Sequence, residues 1–266
     1  MILYGRNPVH EALRGRRAHA VGEVWATAAA AREPWLAELG PAIRDAEEIE
    51  RRCGSSAHQG VCAEAGPYPY AGAAELLARE QPLLVALDQV QDPQNLGSIC
   101  RTAECAGADG VVIPERRAAE VTPAVCKASA GAVEHLAVAR VRNVADFLAE
   151  AGRAGCWCYG ASAPEERDAG ARGDGSAHPD RSGRGGPRAS RGGPAPYDRP
   201  DYAGAGVVLV LGSEGSGLRP RVAAACDELI FLPMRGRVAS LGVSAAAAAI
   251  LYEILQSRDR GVDKAS

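Results

Sequence analysis

Two loops near the end of the chain carry polar side chains between glycines, a composition suited to binding a ligand closely. The first loop, 212–218, contains one carboxylate, Glu214, and follows the apolar run 206–211. The second loop, 240–244, has the sequence SLGVS and follows the apolar run 229–232. An apolar run that ends in glycines is typical of a buried strand followed by a tight turn. Both loops are therefore predicted to lie at strand ends, where open α/β sheets bind ligands.

A third candidate segment lies upstream, at 92–114. Its two functional side chains, Asn95 and Arg101, are six residues apart near the start of a predicted helix, with the small residues Gly97 and Ser98 between them. Taken alone, such a pair is typical of a helix cap and a surface charge.

Three common kinds of site are excluded by the spacing of these residues. A dinucleotide site needs its glycine fingerprint directly after the first strand of the domain, but residues 92–95 there contain no glycine. The loop at 212–218 lacks the Lys-Ser/Thr pair of a phosphate-binding P-loop. A nucleophile elbow is absent, and no histidine accompanies Ser213 or Ser240 in a triad-like pattern. Nucleotide phosphate chemistry and hydrolysis are therefore not expected.

Predicted strands and helices alternate through the larger part of the chain, 83–258. The strands are apolar throughout, which is typical of a parallel sheet covered by helices on both faces. The predicted strands span 83–89, 110–114, 135–141 and 156–162, and the helices span 94–107, 122–132 and 143–155. The sheet is predicted to resume at Val207, and an alanine-rich helix follows the second glycine loop. The expected fold class is α/β.

A smaller α/β module is predicted at 1–66, joined to the larger domain by a linker at 67–82 that contains a short helix. Its first helix is predicted at 4–15, with Asn7 as the cap and Pro8 in the first turn. The other predicted elements are strands 21–27 and 58–65 and helices 32–39 and 45–53. The module is locally basic through His10, Arg14, Arg16, Arg17, His19 and His58. These side chains either form a solvated face or contact RNA.

Residues 163–204 interrupt the alternation. This stretch is rich in Gly, Pro, Arg, Ser and Asp and has almost nothing to bury, so it is predicted to be a disordered or loop insertion. Its arginines could contact a phosphate backbone, but they are nearly balanced by acidic residues.

Composition excludes further classes of protein. The net charge of −3 provides no global field that attracts nucleic acid, so RNA contact would depend on local arginine clusters. No apolar run reaches about 18 residues, and the first residues lack a signal-peptide pattern, so neither a membrane nor export is expected. The eight cysteines form no zinc-type pair, so we expect no metal and a reducing cytoplasm. Cys62, Cys126 and Cys226 are predicted to be buried thiols.

In this order and spacing, the segments 92–114, 209–218 and 240–244 resemble the SpoU (TrmH-type) family of RNA ribose 2′-O-methyltransferases. The resemblance covers 83–258 apart from the insertion. It extends to 4–65, which is similar to the small L30e-like RNA substrate-binding domain of members that act on large-subunit ribosomal RNA.

The resemblance implies a parallel α/β sheet with a C-terminal trefoil knot, acting as a homodimer, with residues 259–266 as a tail. It also implies that S-adenosylmethionine is held in the knotted loops, largely by main-chain groups. The matching cofactor-binding positions are Gly212, Leu232 and Leu241. For the two leucines, the alternative is an ordinary place in the core.

The resemblance assigns catalytic positions to Asn95, Arg101, Glu214 and Ser240. Arg101 would act at the ribose hydroxyl, and because a guanidinium holds its proton in proteins it is a poor base, so we expect it to work with an RNA phosphate. Asn95 and Glu214 would orient Arg101, and Ser240 would hydrogen-bond nearby. Glu214 could alternatively be a simple helix N-cap partner.

One position departs from the family pattern. The family usually has Asn within the serine loop, where this chain has Gly242. The expected function is methylation of a ribose 2′-hydroxyl, with a guanosine of 23S ribosomal RNA as the target. The alternatives are a transfer RNA methyltransferase, an antibiotic-resistance ribosomal RNA methyltransferase, and an RNA-binding ribosome-assembly factor with weak or no activity.

Overall fold

The computed structural model describes residues 1–162, 193–237 and 241–265, which form two sheets with their covering helices. Most of the predicted insertion, 163–192, lies outside the described residues, and so does the predicted catalytic residue Ser240.

The N-terminal module contains a four-stranded sheet with the strand order β1-β4-β2-β3. Strand β4 is antiparallel to both β1 and β2, and β2 is parallel to β3. The elements are β1 (Ile2–Tyr4), α1 (Arg6–Arg14), β2 (Val21–Ala26), α2 (Pro34–Leu39), β3 (Ala42–Ile43), α3 (Ala46–Cys53) and β4 (Val61–Ala65).

The start of this module corrects the sequence prediction in two places. Residues 2–4 form strand β1, which was not predicted, because three residues are too few to show a periodic pattern. Helix α1 is preceded by Gly5, whose φ of 96° turns the chain directly from β1 into the helix. The predicted cap, Asn7, therefore lies inside the first turn and caps nothing. Pro8 lies in that first turn, as predicted.

The larger unit contains a seven-stranded sheet with the order β7-β6-β5-β10-β8-β11-β9, in which all neighbouring strands are parallel. This confirms the predicted α/β class and parallel sheet. Helix α4 (Ala73–Leu77) precedes it. The strands are β5 (Leu83–Asp88), β6 (Gly110–Pro114), β7 (Val138–Val141), β8 (Cys156–Ala161), β9 (Ala195–Pro196), β10 (Gly206–Gly212) and β11 (Glu228–Phe231). The helices are α5 (Pro93–Cys105), α6 (Pro123–Ala128), α7 (Val144–Arg153), α8 (Pro220–Ala223) and α9 (Val243–Ala265).

The end of the predicted insertion belongs to the folded unit. Strand β9 adds an edge to the sheet beside β11, and Tyr202 is buried against Tyr159 with ring centroids 4.9 Å apart. The Tyr202 hydroxyl donates to the Tyr197 carbonyl at 2.6 Å. The prediction of a disordered or loop insertion as far as residue 204 was therefore wrong at 195–196, which form β9, because it overlooked the few aromatic anchors in a polar stretch. Residues 197–204 form a loop without helix or strand, held by Tyr202.

Two elements also differ in length from the prediction. Strand β7 begins at Val138, three residues later than predicted, because the amides of His135 and Leu136 still donate hydrogen bonds to the Ala132 carbonyl of the preceding 3-10 turn. Helix α9 continues through Ala265, past residue 258, which was predicted to be the last residue of the domain.

The interface between the two units contains a buried ion pair. Arg17, 1% exposed, donates to both carboxylate oxygens of Glu134, Nε to Oε2 at 2.8 Å and Nη2 to Oε1 at 2.5 Å. Arg17 was predicted to lie on a basic face, either solvated or bound to RNA, and neither is correct. His58 is also buried, with its Nδ1 accepting from the Gly60 amide at 2.9 Å.

The predicted buried thiols are confirmed. Cys62, Cys126 and Cys226 are all buried, and burial raises their pKa to about 11, 12 and 12 respectively. Their thiolate fraction at neutral pH is therefore negligible, as expected of structural cysteines. Among the described helices, none is long and apolar enough to cross a membrane.

Candidate active site

The candidate site lies where β5 and β10 end side by side at the centre of the sheet. Asp88, the last residue of β5, is in register with Gly212, the last residue of β10. Helix α5 follows β5, and the glycine loop follows β10, so both leave the sheet at its carboxyl edge. This is the edge at which parallel α/β sheets bind ligands.

The glycine loop is a tight hairpin that requires glycine at its start. Ser213 and Gly217 exchange two main-chain hydrogen bonds, at 3.2 and 3.0 Å. A Cβ at Gly212 would lie 2.1 Å from the carbonyl carbon of Gly217, so no side chain fits there. The structure thus supplies a packing reason for Gly212, separate from its predicted contact with a cofactor.

The far end of this loop is tied to the sheet by a buried carboxylate. Asp88 is fully buried and pairs with Arg219, with Oδ1 accepting from Nε at 2.8 Å. Its other oxygen, Oδ2, accepts from the Arg219 main-chain amide at 2.9 Å. This pair was not predicted from the sequence. An aspartate ending an apolar strand was the available signal, but its partner is 131 residues away.

Asn95 and Glu214 meet across the site. The Asn95 side-chain amide donates to the Glu214 carboxylate, Nδ2 to Oε1, at 3.1 Å. The cap of α5 is Asp92, whose side chain accepts from the Gln94 amide at 2.9 Å, so Asn95 is not a cap. Glu214 contacts this side chain in the first turn of α5, where a negative charge is favoured by the helix dipole.

Gly242 approaches the same carboxylate. A Cβ at Gly242 would lie 3.5 Å from Glu214 Oε1, an ordinary van der Waals distance. The three segments after β5, β10 and β11 therefore converge on Glu214. Ser240, predicted to lie in this convergence, is outside the described residues.

The two predicted cofactor leucines differ in exposure. Leu232, directly after β11, is half-buried and packs against the main core cluster, in line with the core alternative. Leu241 is 50% exposed at the edge of the site. Between these leucines, the main-chain groups of 234–237 make no backbone hydrogen bond with any described residue. This loop thus combines main-chain groups that have no backbone partner among the described residues with the side chains of two leucines.

Arg101 does not join this cluster. It lies six residues after Asn95 on α5, about 9 Å along the helix axis and on another face. Its exposed side chain lines a cleft between α5 and α1, and neither Asn95 nor Glu214 lines that cleft. Within one chain, the structure therefore brings Asn95, Glu214 and Gly242 together, whereas Arg101 lines a different cleft.

No group of three or more histidine, cysteine, aspartate or glutamate side chains that could hold a metal ion occurs in the part of the chain that is described.

Two family models match the chain. The SpoU rRNA methylase family matches residues 82–252, and a model described as RNA 2′-O ribose methyltransferase substrate binding matches residues 2–71. The Bacillus subtilis protein YacO, assigned to the TrmH family of tRNA/rRNA methyltransferases, is 41% identical over 207 residues. That alignment covers 76% of this chain and 72% of YacO.

Solved structures share the whole architecture. The SpoU methyltransferase AviRb from Streptomyces viridochromogenes, solved in complex with AdoMet, superposes with a TM-score of 0.72 at 24% identity, covering 98% of this chain and 91% of that one. A TrmH-family protein from Porphyromonas gingivalis superposes with a TM-score of 0.65 at 27% identity, covering 97% and 89%.

Proposed function

The chain belongs to the SpoU rRNA methylase family, and from that premise we propose that it transfers a methyl group from S-adenosylmethionine to a ribose 2′-hydroxyl of RNA. The observation that carries this proposal is the convergence of Asn95, Glu214 and Gly242 at the carboxyl ends of β5 and β10. The match of residues 2–71 to a 2′-O ribose methyltransferase substrate-binding model supports the ribose hydroxyl as the acceptor.

The loops after β10 and β11 have the chemistry to hold the cofactor. S-adenosylmethionine supplies an electrophilic methyl group when bound. Gly212 and the main-chain groups of 234–237 would contact its polar parts, and Leu232 and Leu241 its apolar surfaces. The AdoMet in the AviRb complex supports the same cofactor here.

The ribose hydroxyl is a poor nucleophile, so the protein must position it and stabilise the charge that develops during transfer. Arg101 would bind an RNA phosphate and polarise the hydroxyl, because a guanidinium is too weak an acid to lose its proton readily. Asn95 and Glu214 contact each other and not Arg101, so we assign their orienting effect to α5, the helix that carries both Asn95 and Arg101. Ser240 would add a hydrogen bond nearby.

The finer architecture is proposed on the same basis. The loops after β10 and β11 would form the trefoil knot of the family, and the chain would act as a homodimer. Residues 1–66 would bind the RNA substrate, 67–82 would link the units, and 83–258 would carry the chemistry, while residues 259–265 of the expected tail continue helix α9. The insertion of β10 between β5 and β8 supports a chain that passes back through its own sheet.

The proposed target is a guanosine of 23S ribosomal RNA, because the N-terminal module resembles that of members acting on large-subunit RNA. A transfer RNA and a resistance-conferring ribosomal site are the alternatives within the same chemistry. Gly242 favours one further function, an RNA-binding ribosome-assembly factor, because it removes the amide that the family usually presents beside Glu214.

The test combines cofactor binding with methyl transfer. Calorimetry with S-adenosylmethionine should detect binding, and labelled methyl groups should pass to deproteinised 23S RNA and, after nuclease digestion, remain on a ribose. Transfer RNA and 16S RNA are run in parallel to identify the target. Absence of cofactor binding would favour the assembly factor, whereas a label on a base would contradict the proposed acceptor.

Arg101→Ala provides the first variant for this assay. We expect it to abolish methyl transfer while the thermal unfolding temperature and S-adenosylmethionine binding stay close to wild type, because Arg101 is exposed and lies apart from the cofactor loops. The exposed Arg153→Ala, at the end of α7, is the matched control. Turnover near the wild-type rate in Arg101→Ala would contradict the role assigned to this side chain.

A further inference from the structure

A cleft of about 470 Å³ lies between the two units and is separate from the loops assigned to the cofactor. Helix α1 of the N-terminal module supplies Asn7, Glu11 and Arg14 to one wall. Helix α5 of the larger unit supplies Arg101, Glu104 and Cys105 to the other. Its volume lies in the range of about 300–1,000 Å³ typical of ligand sites.

Three charged side chains in this cleft are free to bind a ligand. Arg14, Arg101 and Glu104 form no ion pair with any described residue. Glu11 differs, because its carboxylate pairs with His135 at 2.7 Å and with His10 at 3.3 Å. Partial burial by itself would raise the pKa of Glu11. The hydrogen bond from His135 and the neighbouring positive charges outweigh this effect, so the pKa of Glu11 is lowered. The cleft thus offers two guanidiniums and one carboxylate that have no ion-pair partner among the described residues.

These free groups match the parts of one nucleotide. Guanidiniums bind phosphate with paired, charge-assisted hydrogen bonds. A carboxylate accepts hydrogen bonds from the amino-bearing edge of a base, and RNA is commonly recognised through unstacked bases whose edges are exposed in this way.

The two walls of the cleft are held together within one chain. Arg17, three residues after Arg14, is locked to Glu134 by the buried ion pair, and the Arg16 amide donates to the Glu134 carbonyl at 2.8 Å. A Cβ at Gly131 would lie 2.7 Å from the Cβ of Glu11, so α1 packs directly on the segment after α6. The position of α1 relative to α5 is therefore fixed without a second subunit.

We propose that this cleft holds one nucleotide of the RNA substrate, with its phosphates on Arg14 and Arg101 and its base edge on Glu104. The N-terminal module thereby presents RNA to the Arg101 of its own chain rather than to that of a partner. This inference rests on the proposed function, since it gives the cleft the same RNA substrate.

Cys105 allows the cleft to be tested without turnover. It is exposed and lines the cleft, and burial of part of its surface together with the nearby Glu104 raises its pKa, so alkylation is carried out at mildly alkaline pH. Saturating deproteinised 23S RNA should slow maleimide labelling of Cys105 about tenfold relative to the half-buried Cys53 on α3. Unchanged labelling of Cys105 in the presence of bound RNA would overturn the proposal.

Binding variants separate the phosphate contacts from the base contact. Arg14→Ala should weaken RNA binding about tenfold and reduce the salt slope of log K by about one, as expected for a lost phosphate contact. Glu104→Gln should weaken binding while leaving the salt slope unchanged. Arg153→Ala, exposed on α7, should change neither quantity. Equal affinities for all four proteins would contradict the assignment.

Mixed oligomers distinguish a cleft that works within one chain from a cleft that is shared between two chains. Wild-type chains mixed with Arg14→Ala/Arg101→Ala chains should retain about half of the methyl transfer per mixed dimer, because each wild-type chain keeps an intact cleft. Mixing the two single variants should restore none, because both clefts carry a defect. Restoration by the two single variants would show that the cleft works across subunits and overturn this inference. Loss of all transfer in the wild type itself would contradict the proposed function instead, while Cys105 protection would still report on the cleft.

Discussion

Glu214 is the residue on which three segments converge, and its carboxylate accepts the only hydrogen bond that the described structure records for the Asn95 side chain. A contact of this kind couples the two side chains energetically, so their substitutions are not independent. Because Glu214 is exposed and Asn95 only half-buried, the coupling is expected to affect catalysis far more than folding.

We therefore predict non-additive kinetics for Asn95→Ala and Glu214→Ala. Each single variant should lower the rate of methyl transfer about tenfold or more, and the double variant should lose little beyond the worse single one. Unfolding temperatures should stay close to wild type in all three, and Glu150→Ala, exposed on α7, should change neither rate nor stability. Multiplicative losses in the double variant would show that the pair does not act as a unit.

For Gly242, we predict a substitution that does not lower the rate of methyl transfer. Among the described residues, a Cβ there meets only the Glu214 carboxylate, at 3.5 Å, and the φ of Gly242 lies outside the left-handed region, so an asparagine is expected to fit. Gly242→Asn would give Glu214 an amide partner and reduce the freedom of the loop before ordering. Methyl transfer should be equal to or higher than that of wild type in single-turnover measurements. A variant and a wild type that are both inactive, with RNA binding intact, would favour the assembly-factor function.

At the scale of the element, the hairpin after β10 depends on close contact between main-chain segments. We predict that Gly212→Ala destabilises the protein by about 1–3 kcal/mol, because its Cβ would lie 2.1 Å from the Gly217 main chain, which can yield only by moving. The matched control is Gly152→Ala in helix α7, where the Cβ meets nothing within 4 Å and should stabilise the helix by about 0.5–1 kcal/mol. Urea unfolding of the two variants measures both effects, and equal stabilities would contradict the packing argument.

The burial and the length of each element explain which elements were predictable from the sequence. Strands β5, β6 and β10 are buried at every position, and apolar apart from Asp88 at the end of β5, because the sheet is covered on both faces, and that pattern is visible in a single chain. Strands β1 and β3 have three and two residues, too few for periodicity to indicate them. Tyr202 became a core residue through contacts with Tyr159 and Tyr197, which a polar local composition conceals.

The candidate site also has a part that could be predicted from the sequence and a part that could not. Glu214 and Asn95 were singled out by the resemblance to the SpoU family, and both follow strands whose ends could be recognised and that parallel pairing brings to one edge. The Asp88–Arg219 pair and the cleft between α1 and α5 join residues far apart in sequence, so only tertiary structure reveals them. Arg17 illustrates the limit most clearly, since its basic neighbourhood suggested the surface and its partner Glu134 lies 117 residues away.

The buried Arg17–Glu134 pair joins the two units, so its loss should change how the whole molecule unfolds. Glu134→Ala would leave the Arg17 guanidinium buried without its anionic partner, so we expect a loss of about 3 kcal/mol in stability. The interface should weaken before either sheet does, so calorimetry should record two unfolding transitions in place of one. Asp146→Ala, which removes the exposed pair with Arg221, should cost at most about 1 kcal/mol and leave the transition intact. Replacing both buried partners, as in Arg17→Met/Glu134→Leu, should recover most of the lost stability, because no charge then remains buried. A single unshifted transition in Glu134→Ala would show that the pair does not hold the units together, and α1 would then be free to move away from the cleft.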